Sequence, residues 1–108
     1  MIQMVMNRYY FGYMANKLSS AEITAKMLCV PHWSRSGDLI ERTFPFPDFI
    51  ASMRFVNLMA IEAERTQHHP DILVKYNKVT LGYSTHDAGG LTFKDFDGAI
   101  AADAACGI

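Results

Sequence analysis

Strong net charge is missing from this chain: 10 basic residues stand against 11 acidic ones, for a formal charge of −1. A surface so balanced has no electrostatic footprint for nucleic acid. No apolar run is long enough to cross a bilayer, so no membrane role is expected. Cysteine is scarce. Cys29 and Cys106 show neither a metal-like nor a redox-like spacing. Two reduced thiols in a reducing, cytoplasmic compartment are the simplest reading, and nothing calls for a disulfide. Repeats, linkers and low-complexity segments are absent from the 108 residues, so one domain with one core is expected. Half of the residues are hydrophobic, which sets the chain apart from disordered ones. The single tryptophan, Trp33, reads first as a core residue.

Residues 1–17 lack acidic side chains and serine altogether, and their only basic ones are Arg8 and Lys17. Gln3, Asn7 and Arg8 interrupt the apolar run, which argues against a secretory signal. These residues read as an extension to a domain spanning 18–108. A transit peptide for organellar import and an arm packing its aromatics on the domain are the alternatives.

Local signals then set out the elements. Ser19 and Glu22 form a capping box, with Leu18 and Ile23 placed for a hydrophobic staple. The helix they start should reach about Leu28 and stop before Pro31. A strand over His32–Arg35, a turn at Ser36-Gly37-Asp38 and a returning strand over Leu39–Phe46 follow. Ile40, Arg42, Phe44 and Phe46 share one face of that strand, and Pro45 and Pro47 end it. Asp48 caps a long helix reaching about Thr66. Phe49, Met53, Val56, Ala60 and Ala63, with Ser52 and Met59 beside them, predict its face toward the sheet. Ile50, Leu58 and Ile61 lie off that stripe and predict a second contact, against a partner.

Ile72, Val74 and Tyr76 alternate, as do Val79, Leu81, Tyr83 and Thr85, with a hairpin turn expected at Asn77-Lys78. Thr92 and Asp95 form a second capping box, stapled by Leu91 and Phe96. The alanine-rich helix beyond should end before Gly107. The order is α-β-β-α-β-β-α. Adjacent strands argue for antiparallel pairing, hence an α+β domain with a four-stranded sheet and three helices on one face.

Chemistry concentrates between Glu64 and Asp95, where three of the four histidines fall. His68-His69 precede the predicted hairpin and His86 follows it, so folding brings the pairs to one end of the sheet. Histidine titrates near neutral pH, and such a cluster can hold acid and base forms together. Three histidines also suit zinc. Adjacent His68 and His69 diverge, however, and no helical His-to-His spacing occurs, so no metal is expected.

Glu64, His68-His69-Pro70, Tyr76, Asn77, Ser84-Thr85-His86, Gly90-Leu91-Thr92 and Asp95 stand at the spacing of the pterin-4a-carbinolamine dehydratases, also known as dimerisation cofactors of a homeodomain factor. The chain resembles that family from about Leu18 to Ile100, more weakly outside this core. The resemblance implies the same fold and removal of water from a 4a-hydroxytetrahydropterin, giving the quinonoid dihydropterin without a cofactor. It implies His68, His69 and His86 as catalytic residues. It implies Glu64, Gln67, Pro70, Ser84, Thr85, Asp87 and Asp95 as the residues around the pterin. It further implies a homodimer or homotetramer built through the long helix, or a protein partner on that helix as a non-catalytic alternative. Gln67 stands where the family often has Asp, and Lys94 where Arg is common.

Overall fold

The computed structural model describes residues 16–107. Nearly all of the extension assigned to residues 1–17 therefore lies outside the described residues. Helix α1 (Ser20–Met27) starts at the expected box: Ser19 N–H donates to Glu22 Oε1 over 2.8 Å, and Glu22 N–H donates to Ser19 Oγ over 3.2 Å. Strands β1 (Ser34–Ser36) and β2 (Leu39–Pro45) follow, then helix α2 (Phe49–Thr66). Strands β3 (Asp71–Lys75) and β4 (Lys78–Tyr83) form the hairpin, and helix α3 (Phe93–Ala105) closes the chain.

The strands form one antiparallel sheet in the order β1-β2-β4-β3. Alternation puts Ile40 and Phe44 of β2 and Val79, Leu81 and Tyr83 of β4 into the core. The helices cover that face, so the α+β class, the antiparallel sheet and the element order are as expected. On the opposite face, which no helix among the described residues covers, Thr43 and Thr80 share a hydroxyl hydrogen bond of 2.8 Å. Trp33 is a core residue: its ring lies edge-on to Phe44 at 5.9 Å, and its Nε1–H donates to Asp103. Asp103 also pairs with Arg42 over 2.6 Å. Cys29 and Cys106 are free thiols.

Three local expectations need correction. Pro31 and His32 form a turn, with Trp33 N–H donating to Val30 O, so β1 begins at Ser34 rather than His32. The hairpin turn sits on Tyr76-Asn77, one residue earlier than expected, because Lys78 pairs with both Lys75 and Pro45. The buried row of α2 is Ser52, Phe55, Met59 and Ala63; Phe49 and Ala60 are exposed. Phe55 was absent from the predicted stripe, yet its ring packs tilted against Phe44 at 4.7 Å and Phe46 at 5.1 Å. It falls three residues after Ser52 and four before Met59, on their face of the helix. Ile50, Leu58 and Ile61 point outward, 61%, 51% and 68% exposed.

Helix α3 approaches β4 closely at Gly98. A methyl group there would lie 2.5 Å from Tyr83 Cζ. Gly98→Ala should therefore destabilise the protein by about 1–3 kcal/mol, as overpacked cores do. Urea unfolding measures this, and an alanine variant as stable as wild type would show that the tyrosine has room to move.

Candidate active site

Helix α2 ends because Gln67 turns left-handed, with φ 53° and ψ 41°. Residues with a Cβ pay about 1–2 kcal/mol for that region. Its side-chain amide donates to Glu64 O over 2.7 Å, satisfying one of the carbonyls a helix end leaves free. The turn sends successive side chains apart: His68 is almost covered, its side chain 12% exposed, and His69 is open at 56%.

His68 Nε2 lies 2.6 Å from Asp95 Oδ1. Asp95 is fully buried, and its Oδ2 accepts from Thr85 Oγ1 over 2.8 Å and from the Thr92 backbone over 2.9 Å. Since Thr85 spends its proton on Asp95, Thr92 Oγ1 must donate to Thr85 Oγ1, across 2.8 Å. Thr92 Oγ1 in turn accepts from Lys94 N–H over 3.2 Å. A carboxylate oxygen accepts, so the hydrogen bond to Asp95 places the donor on His68 Nε2 and leaves Nδ1 outside that bond. The His68 ring stacks on Tyr83 with centroids 5.8 Å apart. Burial pushes the Tyr83 phenol well above its ordinary pKa, so it stays neutral beside the imidazole.

His69 Nε2 lies 2.6 Å from Glu64 Oε2, both side chains reaching into solvent. His86 opens a short 3-10 turn, His86–Ala88, which the left-handed Gly89 closes. Thr85 and Gly90 pin that loop by reciprocal backbone bonds of 3.3 and 3.4 Å.

Gln67, His68, His69, Ser84, Thr85, His86, Asp87 and Lys94 enclose a cleft of about 260 Å³. That is many times the roughly 30 Å³ of a liquid water. The hairpin thus brings all three histidines to one hollow. Glu64, Pro70 and Asp95 do not line it. Glu64 reaches His69, Asp95 lies behind His68, and Pro70 leads into β3. Among the described residues no group of three or more His, Cys, Asp or Glu side chains converges on a metal position.

Lys94 is the lining residue that sequence reasoning left out of the site. It is 7% exposed, and its Nζ donates to Gln67 O over 3.5 Å. Burial pulls its ammonium pKa below the ordinary lysine value, while Asp95 and Asp87 oppose the shift. In the sequence it stood out only as a lysine where the family commonly has arginine beside Asp95; a cation in the first turn of a helix also opposes the macrodipole.

A family model for pterin 4 alpha carbinolamine dehydratase matches residues 16–105. The chain belongs to this family. A Picosynechococcus relative, provisionally named pterin-4-alpha-carbinolamine dehydratase, is 50% identical over 78% of this chain and 91% of its own length. A Cyanothece relative of the same provisional name is 51% identical over 78% and 87%. A crystal structure from Brucella melitensis, described as a transcriptional coactivator/pterin dehydratase, aligns with a TM-score of 0.82 at 29% identity. It covers 84% of this chain and 99% of that one. The three-histidine cleft lies within the part of the chain that the pterin dehydratase family model matches.

Proposed function

We propose that the protein is a lyase that dehydrates 4a-hydroxytetrahydropterin to quinonoid dihydropterin, recycling tetrahydrobiopterin by histidine acid–base catalysis. One observation carries this reading: the cleft is walled by three histidines, one of them anchored on a fully buried carboxylate. The chemistry needs two proton transfers. An acid protonates the C4a hydroxyl, the C4a–O bond breaks and water leaves. The N5 lone pair forms the C4a–N5 double bond, and a base removes the N5 proton. His68 and His86 form the acid–base pair and His69 holds the ring. Gln67, Ser84, Thr85 and Asp87 complete the cleft, while Glu64 and Asp95 act through His69 and His68. Electrons are not exchanged, and no metal or cofactor is required. A stopped-flow dehydration assay tests the proposal. The purified protein should accelerate water loss from 4a-hydroxytetrahydropterin, with or without chelator. A rate equal to the solution rate would sink it, and loss of rate to chelator restored by zinc would require a metal centre instead.

The outward face of α2 supports self-association, as a homodimer or homotetramer, within the same cytoplasmic reading. Ile50, Leu58 and Ile61 give it an apolar stripe at helical spacing. Leu58→Glu should reduce the assembly to monomers, because an unpaired charge in such an interface is strongly unfavourable. Sedimentation velocity at micromolar concentration measures it, and a monomeric wild type would refute the assembly. The same stripe favours a second reading, a non-catalytic protein-binding cofactor, which a wild type inactive in the dehydration assay would leave standing.

A further inference from the structure

Lys94 is placed where a lysine is costly. It stands at the second position of α3, where the aligned peptide dipoles are positive and repel a cation. Only 7% of the residue's surface is exposed, so its stem is covered and what remains open lies in the wall of the histidine cleft. An ammonium has three N–H groups. Among the described residues, one reaches the Gln67 carbonyl at 3.5 Å, the long limit of a hydrogen bond, and no carboxylate forms an ion pair with it. The ammonium can therefore donate further hydrogen bonds, to water or to a molecule in the cleft. The side chain lies in the wall of the histidine cleft, which His68, Thr85 and His86 also line. The cleft is therefore where such a partner would sit.

The partner must be an acceptor. A 4a-hydroxytetrahydropterin offers two acceptor oxygens near the reacting carbon: the hydroxyl that departs and the carbonyl on the neighbouring ring carbon. The hydroxyl leaves as water, and a cation matched to it would be stranded in the product complex. The carbonyl persists through the reaction and carries high negative partial charge. Resting on the dehydratase reading, we propose that the Lys94 ammonium holds the ring carbonyl of the pterin and makes the cleft select 4-oxo pterins over 4-aminopteridines. A 4-amino group turns N–H donors toward the ammonium, so donor meets donor. Lys94 thereby reads the bicyclic ring and is indifferent to the side chain the ring carries.

The test pairs two stable fluorescent probes, 6-methylpterin and 2,4-diamino-6-methylpteridine, titrated by fluorescence against the full-length protein. Wild type should bind the 4-oxo probe at least about tenfold tighter, the worth of a hydrogen bond to a charged group. Lys94→Met keeps the length and apolar stem of the side chain. It should weaken the 4-oxo probe by at least about tenfold, leave the diamino probe nearly unchanged, and so collapse the ratio of the two dissociation constants. Lys94→Arg should restore most of the preference. Urea unfolding supplies an independent readout: removing a dipole-opposed cation should leave stability unchanged or raised. Lys94→Gln is the second uncharged variant if the methionine form does not fold. An unchanged ratio in a folded uncharged variant would overturn the proposal. So would failure of both uncharged variants to fold beside a stable Lys94→Arg, because the lysine would then be a clamp on the Gln67 carbonyl. A wild type that dehydrates the substrate yet shows no 4-oxo preference refutes this inference alone, whereas one that neither dehydrates nor binds refutes the dehydratase reading beneath it.

Discussion

His68→Ala and His86→Ala should each lower kcat for dehydration by at least about tenfold, and up to the 10²–10⁴-fold typical of a positioned acid or base. The fold should survive both changes. His86 is exposed on a loop pinned by Thr85 and Gly90; His68→Ala is the costlier of the two, because it removes the partner of Oδ1 on the buried Asp95 and a ring stacked on Tyr83. His69→Ala should act chiefly on KM, since lost uniform binding raises KM and leaves kcat. The double change at His68 and His86 should cost little more than the worse single change if the two act as a unit. Steady-state kinetics beside circular dichroism check these outcomes. Near wild-type kcat in both folded single variants would move the catalytic site elsewhere.

Asp95 is expected to matter to both stability and rate. Asp95→Ala strips a partner from His68, from the Thr85 hydroxyl and from the Thr92 amide, which all meet on a fully buried carboxylate. Removing one member of such a buried charged network typically costs about 3–5 kcal/mol. Asp95→Asn keeps the shape but brings an amide with its own N–H groups. If the amide nitrogen faces His68, two donors meet and the imidazole must move its proton to Nδ1; if it faces Thr85 and Thr92, their donors are orphaned. Either orientation should lower kcat by at least about tenfold while costing less stability than alanine does. Urea melts and kinetics on the same preparations separate the two effects. Full kcat in Asp95→Asn would show that the histidine needs no anionic anchor.

Much of the fold was legible because its signals are local. Both capping boxes, the proline stops and the alternating strands sit within a few residues of the structure they specify, and Ser19–Glu22 and Thr92–Asp95 formed as written. The inward row of α2 was less legible. Phe49 fits the helical period but occupies the first turn and is 49% exposed, whereas Phe55 earns its burial from Phe44 and Phe46 on a strand distant in sequence. At the site, the gathering of His68, His69 and His86 followed from the hairpin alone. The division between cleft wall and support did not. Asp95 reads as a helix cap from its neighbours, and only the packing of α3 against the end of α2 shows that its other oxygen meets His68. Lys94 carried a signal, a lysine where the family commonly has arginine, whose meaning depended on what else lines the cleft.

The double duty of Asp95 ties two clocks together. The Thr92 amide donates to the very oxygen pair that orients His68, so that proton exchanges with solvent only when the first turn of α3 opens. In the same opening His68 loses its anchor. Local opening equilibria of this kind are read by amide hydrogen exchange. The protection factor at Thr92 is therefore a direct gauge of the fraction of molecules whose histidine is out of alignment, measurable without substrate and without turnover.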